Sequence, residues 1–135
     1  PMERVATVSL NGEDVAYPFS VLEKVRVVQD TIGGESVVVF FEPGTVSALD
    51  RGSIADSRDV GATGVFSPLL DGRTLTFRLD GDHIVDEETG STWNVLGQAT
   101  DGPLEGRMLT PIIHGNHFWF AWGIFKPDTR IYEGP

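Results

Sequence analysis

The sequence predicts a mainly β, single-domain protein, either a strongly bent antiparallel sheet or a small, partly open barrel, with one or two short helices. Hairpin-forming patterns recur along the chain, and the 16 glycines and 8 prolines indicate many chain reversals. The 135 residues are enough for one domain. We expect a core over residues 4–132, with Pro1 and Met2 as a cleavage scar outside it.

The chain begins with a predicted hairpin. Residues 4–10 alternate apolar and polar side chains, as a half-buried strand does. Asn11-Gly12 is a favoured two-residue hairpin turn, and residues 15–18 resume the extended pattern. Two antiparallel strands are therefore expected here.

The next segment, residues 19–30, combines two patterns. Phe19, Leu22 and Val25 have helical spacing, whereas the valines around position 27 are β-branched and favour a strand. We predict a helical turn over 19–24 and a strand beginning near residue 25.

An apolar run at residues 36–42 is the predicted central strand. It is short for a helix and rich in β-branched and aromatic residues, which is typical of a strand buried on both faces. Pro43-Gly44 is predicted to turn the chain, and 45–50 to return as a partner strand. The glycine-rich residues 51–64 are predicted to form a loop at the rim of a site.

The clearest local pattern is a hairpin around Asp71-Gly72. Residues 65–70 and 73–79 flank this turn, and Leu75, Phe77 and Leu79 alternate with polar residues. Further turns and extended segments over 80–96 are predicted to continue it as a meander.

Residues 113–125, IHGNHFWFAWGIF, are rich in aromatic side chains. We predict a helix near 117–125 that closes one end of the sheet, with Asn116 as its N-cap and Pro127 explaining its end. One face of this helix would carry Phe118, Trp122 and Phe125.

Composition excludes several classes of function. Lys and Arg number 10 against 20 Asp and Glu, so the net charge of −10 makes nucleic acid and anionic membranes poor partners. Without cysteine there is no disulfide, thiolate or Cys-ligated zinc site. No apolar run approaches the roughly 18 residues needed to span a bilayer, so no direct membrane insertion is expected.

Two histidines three residues apart raise the question of a metal. His114 and His117 could bind Zn²⁺ or Cu²⁺ together with a carboxylate such as Glu42 or Asp86. Two histidines in a loop are a weak pattern, and a position as rim residues is an equal alternative.

Residues 86–93 can be interpreted as a turn or as a site. Asp86, Thr89 and Ser91 are residue types that stabilise a tight turn by side-chain to backbone hydrogen bonds. In the functional interpretation, Asp86 is an acid or base and Trp93 a ligand platform. Ser91, His117 and Asp86 are the residue types of a catalytic triad, but no nucleophile-elbow motif surrounds any serine.

Asp50 and Arg51 point to opposite faces if the chain is extended, so one of them should face inward. A structural ion pair of Arg51 with Glu42 or Asp86 is the default expectation. If the pair borders a pocket, Arg51 would bind an anionic or carbonyl group.

Several sequence segments, taken together, resemble the bacterial and archaeal domain-of-unknown-function 3179 family. They are DTIGGESVVVFF (30–41), ALDR (48–51), TLTF (74–77), DEETGSTWN (86–94), GQATDGPLEGRML (97–109) and HFWFAWGIFKPDTRI (117–131). The resemblance implies an extracytoplasmic location and no assigned activity. Many members carry a Cys-Pro-Leu-Cys-like stretch where this chain has residues 41–51, so no thiol role carries over.

The leading hypothesis is a non-enzymatic extracytoplasmic binding or accessory module, with a pocket between the aromatic helix and segments 42–51 and 86–93. Its ligand-binding residues would be Glu42, Arg51, Asp86, Ser91, Trp93, His117 and Trp119. One alternative is a metal-dependent enzyme that uses a divalent ion at His114 and His117. Another is an assembly domain that pairs with a protein partner through an open sheet edge.

Overall fold

The computed structural model of the chain describes residues 4–42, 62–112, 114–118 and 129–132, with 116–118 described by their backbone. One helix, α1 (Phe19–Val25), lies within these ranges, and no helix in them is long and apolar enough to cross a membrane. The strands are β1 (Arg4–Leu10), β2 (Glu13–Pro18), β3 (Val27–Ile32), β4 (Glu35–Glu42), β5 (Ala62–Ser67), β6 (Leu69–Leu70), β7 (Arg73–Thr74), β8 (Phe77–Asp80), β9 (His83–Asp86), β10 (Thr92–Trp93), β11 (Ala99–Asp101), β12 (Thr110–Pro111), β13 (Gly115–Phe118) and β14 (Arg130–Ile131).

The strands form three four-stranded sheets and one two-stranded ribbon. The first sheet has the order β13-β1-β2-β14, the central sheet β12-β5-β4-β3, and the third sheet β11-β10-β9-β8. Neighbouring strands are antiparallel except β14, which pairs parallel to β2. The predicted mainly β, antiparallel class is confirmed, and within the described ranges none of the sheets closes into a barrel.

Strand β4 separates two hydrophobic clusters. Val37, Val39 and Phe41 join the cluster formed with α1 and the first sheet. Val38 and Phe40, on the opposite face, join the cluster formed with the third sheet. All five side chains are completely buried, which confirms the prediction that this run is a central strand buried on both faces.

The N-terminal predictions hold closely. Asn11 (φ 52°) and Gly12 (φ 85°) take the two positive φ values of a turn whose twist matches that of the strands β1 and β2. Helix α1 covers the predicted helical turn and buries Phe19 and Leu22. It ends at Arg26, whose backbone N–H donates to the Leu22 carbonyl at 2.8 Å.

The hairpin around Asp71-Gly72 is shorter than predicted. Residues 62–67 join the central sheet as β5, and only the two-residue strands β6 and β7 flank the turn. The amide of Gln29 explains the break, because Nε2 donates to the Leu75 carbonyl at 2.9 Å and Oε1 accepts from the Phe77 backbone at 2.8 Å. The meander predicted up to residue 96 is confirmed as β8 to β10, and β11, beyond its predicted end, adds a further strand.

The prediction that a helix begins near residue 117 with Asn116 as its N-cap is wrong. Residues 115–118 form β13, an edge strand in which Asn116 and His117 pair with Ala6 and Val5 of β1. Pairing with β1 satisfies backbone groups of this segment that a helix would have satisfied internally. The rest of the predicted helix, residues 119–125, lies outside the described residues.

Two other predictions fall wholly or partly outside the described ranges. The return strand at 45–50, with the turn at Pro43-Gly44, lies outside them. The predicted loop over 51–64 is described only from residue 62, where β5 begins, so its predicted end is three residues late.

Candidate functional site

The Asp86 cluster, comprising Asp86, Thr89, Ser91 and Trp93, joins β9 to β10. Asp86 Oδ1 accepts hydrogen bonds from Trp93 Nε1 at 2.8 Å and from the Ser91 backbone at 3.1 Å. Oδ2 accepts from both the backbone N–H and the hydroxyl of Thr89, each at 2.7 Å. Both carboxylate oxygens are therefore used to fold this turn.

The burial and protonation of this cluster fit a structural role. Asp86 and Ser91 have no exposed surface, and Trp93 is 3% exposed. Burial alone would raise the pKa of Asp86, but the hydrogen bonds from Trp93, Thr89 and Ser91 outweigh it and hold that pKa below its ordinary value. The carboxyl is thus ionised at neutral pH, where it accepts hydrogen bonds and has no proton to donate.

Ser91 and Trp93 are engaged in the same way. Ser91 Oγ accepts from the Leu104 backbone at 2.9 Å and lies 2.7 Å from Thr89 Oγ1, so its hydroxyl is enclosed. The indole N–H of Trp93 is committed to Asp86. Of the four residues of the cluster, Trp93 is the one that also lines a cavity.

That cavity, the Arg26 groove, has a volume of about 520 Å³. It lies between the end of β4 and strands β9 and β10 of the third sheet. Its polar side chains include both signs of charge, and its lining residues include Arg26, Glu42, Asp82, His83, Trp93 and Asn94.

Arg26 is the anchored cation of this groove. Its Nε donates to the Phe41 carbonyl at 3.1 Å, and its side chain is 17% exposed. Among the described residues, the acidic atom facing its Nη1 is Asp82 Oδ1 at 3.9 Å, beyond hydrogen-bonding distance. Within the described ranges, the guanidinium is therefore hydrogen-bonded through Nε and paired at longer range with Asp82, and Arg26 lines the groove.

The backbone of Arg26 has an uncommon conformation. Its φ of 66° lies in the region that favours glycine and occurs at the C-cap of α1, where helices often end with a positive φ. The other positive-φ non-glycine residues in the described ranges, Asn11 and Asp71, occupy hairpin turns. The Arg26 carbonyl accepts from the Phe41 backbone at 2.9 Å, which holds this conformation against β4. An arginine kept where glycine would be relaxed is a candidate functional residue.

The structure brings together some of the residues singled out from the sequence and separates others. Glu42 and Trp93 both line the Arg26 groove. Asp86 and Ser91 lie beneath it in the Asp86 cluster. His117 lies in β13 and is described by its backbone. Arg51 and Trp119 lie outside the described residues, and so does the ion pair predicted for Arg51.

His114 lies in a different pocket from Glu42. Its Nε2 is 2.9 Å from Thr63 Oγ1, and it also hydrogen-bonds the backbone of Ile112. Burial lowers the pKa of this imidazole below its ordinary value, so it is neutral at pH 7. In the part of the chain that the structure describes, no group of three potential metal ligands occurs, and the pairing with His117 stays a prediction.

Of the four ionisable residues that line the groove, sequence reasoning identified Glu42 and missed three: Arg26, Asp82 and His83. Arg26 interrupts the apolar run VRVV at positions 25–28, and a cation among valines is the one local pattern that could have identified it. Asp82 and His83 follow a glycine turn and carry no distinguishing pattern. Their proximity to Arg26 results from packing of the third sheet against β4.

Comparisons with known proteins give a family and no activity. Neither the search of curated proteins nor the search of solved structures found a match to this chain. A family model described as a protein of unknown function, DUF3179, matches residues 1–129, so the chain belongs to that family.

Proposed function

We propose that this protein is a non-enzymatic, extracytoplasmic binding module that holds a small polar ligand in the Arg26 groove. The observation that carries the proposal is the guanidinium of Arg26, which is largely buried, fixed through Nε, and without a carboxylate in hydrogen-bonding range among the described residues. The extracytoplasmic part of the proposal rests on family resemblance.

The energetic cost of this arrangement supports a binding role. A non-glycine residue at positive φ costs about 1–3 kcal/mol, and such strain concentrates at functional positions. Removing most of a guanidinium from water is also unfavourable, and the Asp82 carboxylate at 3.9 Å offsets this cost without a direct hydrogen bond. A ligand oxygen bound by the Nη groups would offset this second cost.

The charges around the groove define the ligand. The planar fork of arginine matches a carboxylate or carbonyl oxygen, which fixes one end of the ligand. Glu42 and Asp82 border the same groove, Asp82 beside Arg26, and they favour an ammonium or hydroxyl donor elsewhere on the ligand. The net charge of −10 disfavours polyanions, so a zwitterionic or neutral polar molecule fits best.

Glycylglycine is a suitable probe because it carries a carboxylate, an amide and an ammonium group. An NMR titration would follow the Arg26 Nε–H signal and the backbone amides of Asp82 and His83. We expect saturable shifts at these positions, and affinity about tenfold weaker for glycylglycinamide, which lacks the carboxylate.

Two variants make the titration specific. Arg26→Gly relaxes the backbone and removes the guanidinium, so it should abolish the shifts. Arg78→Ala removes an exposed arginine of β8 outside the groove and should leave them unchanged. Absence of groove shifts with glycylglycine, or equal shifts in wild type and Arg26→Gly, would contradict the proposal.

A further inference from the structure

A second cavity, the apolar pocket, has a volume of about 350 Å³ and shares none of its lining residues with the Arg26 groove. It lies between β5, β12 and the turn at residues 94–98. Its apolar walls are Phe66, Val95, Leu96, Met108, Pro111 and Ile112.

Two glycines fix the floor of this pocket. A Cβ on Gly64 would lie 2.6 Å from the Phe66 ring, and a Cβ on Gly97 would also lie 2.6 Å from it. These distances are far below a normal carbon contact, so the ring lies where only glycine can flank it. The floor is thus a fixed aromatic surface.

Two large apolar side chains in the walls are unusually exposed. Leu96 is 61% exposed and Met108 is 55% exposed, and they are two of the four large hydrophobic residues that are exposed in the described ranges. The lining residues carry no charge at neutral pH, because the low pKa of His114 keeps it neutral. A strongly acidic protein therefore has an uncharged, apolar cavity here.

One polar group at the pocket has a defined role. Asn94 Oδ1 accepts from the backbones of Leu96 and Gln98, each at 3.0 Å, which assigns Nδ2 as the donor of this amide. That Nδ2 donates to Gln98 Oε1 at 3.1 Å, which leaves Gln98 Nε2 as an N–H donor at the pocket. The hydrogen-bond network of the turn thus sets the polarity of the site.

We infer that the apolar pocket is a second binding site, which takes a small uncharged molecule with an aromatic or branched aliphatic body and one acceptor oxygen. The body packs on Phe66 between Leu96 and Met108, and the oxygen accepts from Gln98 Nε2. The uncharged lining excludes a carboxylate or ammonium ligand, because a charged group would lose its hydration without a partner. The inference is independent of the Arg26 groove.

Three probes of similar shape test this chemistry on the full chain. Acetophenone has an aromatic ring and a carbonyl, ethylbenzene lacks the oxygen, and benzoate carries a charge. Titrations followed by the methyl signals of Leu96, Met108 and Ile112 should give the order acetophenone, ethylbenzene, benzoate from tightest to weakest. Equal affinity for benzoate and acetophenone, or no shift of these methyls with acetophenone, overturns the inference.

Gln98→Glu tests the donor, because it keeps an oxygen to accept from Asn94 and replaces the Nε2 donor with an acceptor. We expect acetophenone to bind about tenfold more weakly to this variant while ethylbenzene changes little. Unchanged binding of acetophenone overturns the assigned role of Gln98.

A matched pair of leucine variants tests the walls. Leu96→Ser should weaken binding of both apolar probes, whereas Leu69→Ser, at a leucine that is 53% exposed outside the pocket, should not. If sedimentation instead shows a dimer that Leu96→Ser dissociates, the pocket is a contact between two copies, and the small-molecule inference is overturned. Arg26→Gly should leave all these titrations unchanged.

Discussion

The Asp86 cluster and the Arg26 groove share Trp93, but they place charged side chains in opposite situations. In the cluster, both oxygens of Asp86 accept hydrogen bonds from Trp93, Thr89 and Ser91. In the groove, the side-chain hydrogen bond of Arg26 within the described ranges is the one from Nε to Phe41, and its ion pair with Asp82 is at 3.9 Å. A charged group whose hydrogen-bonding atoms are all paired within the protein stabilises the fold, whereas one with further donors at a cavity is available to a ligand.

The largest expected effect is the loss of Asp86. Asp86→Ala leaves the Trp93 indole and the Ser91 and Thr89 backbone donors buried without an acceptor, which should lower the free energy of unfolding by about 3–5 kcal/mol. Urea denaturation measures it, with Asp80→Ala, at an exposed position of β8, as the control expected to change by less than about 0.5 kcal/mol. A loss below about 1 kcal/mol would contradict the structural role of Asp86.

Acid should remove the contribution of Asp86 to the free energy of unfolding. The pKa of Asp86 is lower in the folded protein than its ordinary value, so its contribution is complete above the unfolded pKa, about 3.9, and is lost as the pH falls through the folded pKa. Unfolding free energies measured below about pH 4 should fall more steeply for wild type than for Asp86→Asn. Parallel curves would show that this carboxylate is not the group that titrates.

A glycine pair measures how tightly the Asp86 cluster is packed. Gly102 and Gly106 have nearly equal φ values, +94° and +91°. A Cβ on Gly102 would lie 2.7 Å from Ser91 Cα, whereas a Cβ on Gly106 would have no described atom within 4 Å apart from its chain neighbours. Gly102→Ala should therefore be less stable than Gly106→Ala by about 2 kcal/mol. Equal thermal midpoints for the two variants would indicate a loosely packed cluster.

The smallest expected change in stability is at Arg26. Arg26→Gly loses the Nε hydrogen bond to Phe41 but relaxes a φ of 66°, so the two effects should nearly cancel, to within about 1 kcal/mol. Arg26→Ala loses the same bond without relief and should be about 1 kcal/mol less stable than Arg26→Gly. A glycine variant less stable than the alanine variant would argue against backbone strain.

Local patterns predicted the parts of the fold that are determined locally. The Asn11-Gly12 turn and the apolar run at 36–42 identified the first hairpin and the central strand, because turn chemistry and burial on both faces depend on adjacent residues. The residue types at 86–91 likewise predicted a side-chain-stabilised turn.

Features that depend on distant partners were not predictable in the same way. Strand β13 forms because β1, more than a hundred residues earlier, offers an edge, and the aromatic spacing after Asn116 fits a helix equally well. The break after Thr74 depends on the Gln29 amide, which is 46 residues away from Leu75. The Arg26 groove is also assembled from segments far apart in the chain, and Glu42 and Trp93 were its only members identified from sequence.

The most direct test measures stability and glycylglycine binding on the same two variants, Arg26→Gly and Asp86→Asn. The structure predicts that Arg26→Gly keeps near wild-type unfolding free energy and loses the NMR shifts at Asp82 and His83. Asp86→Asn should lose stability and keep the shifts wherever it remains folded. If Arg26→Gly binds the dipeptide as wild type does, or if folded Asp86→Asn fails to bind it, the division between a structural cluster and a binding groove is contradicted.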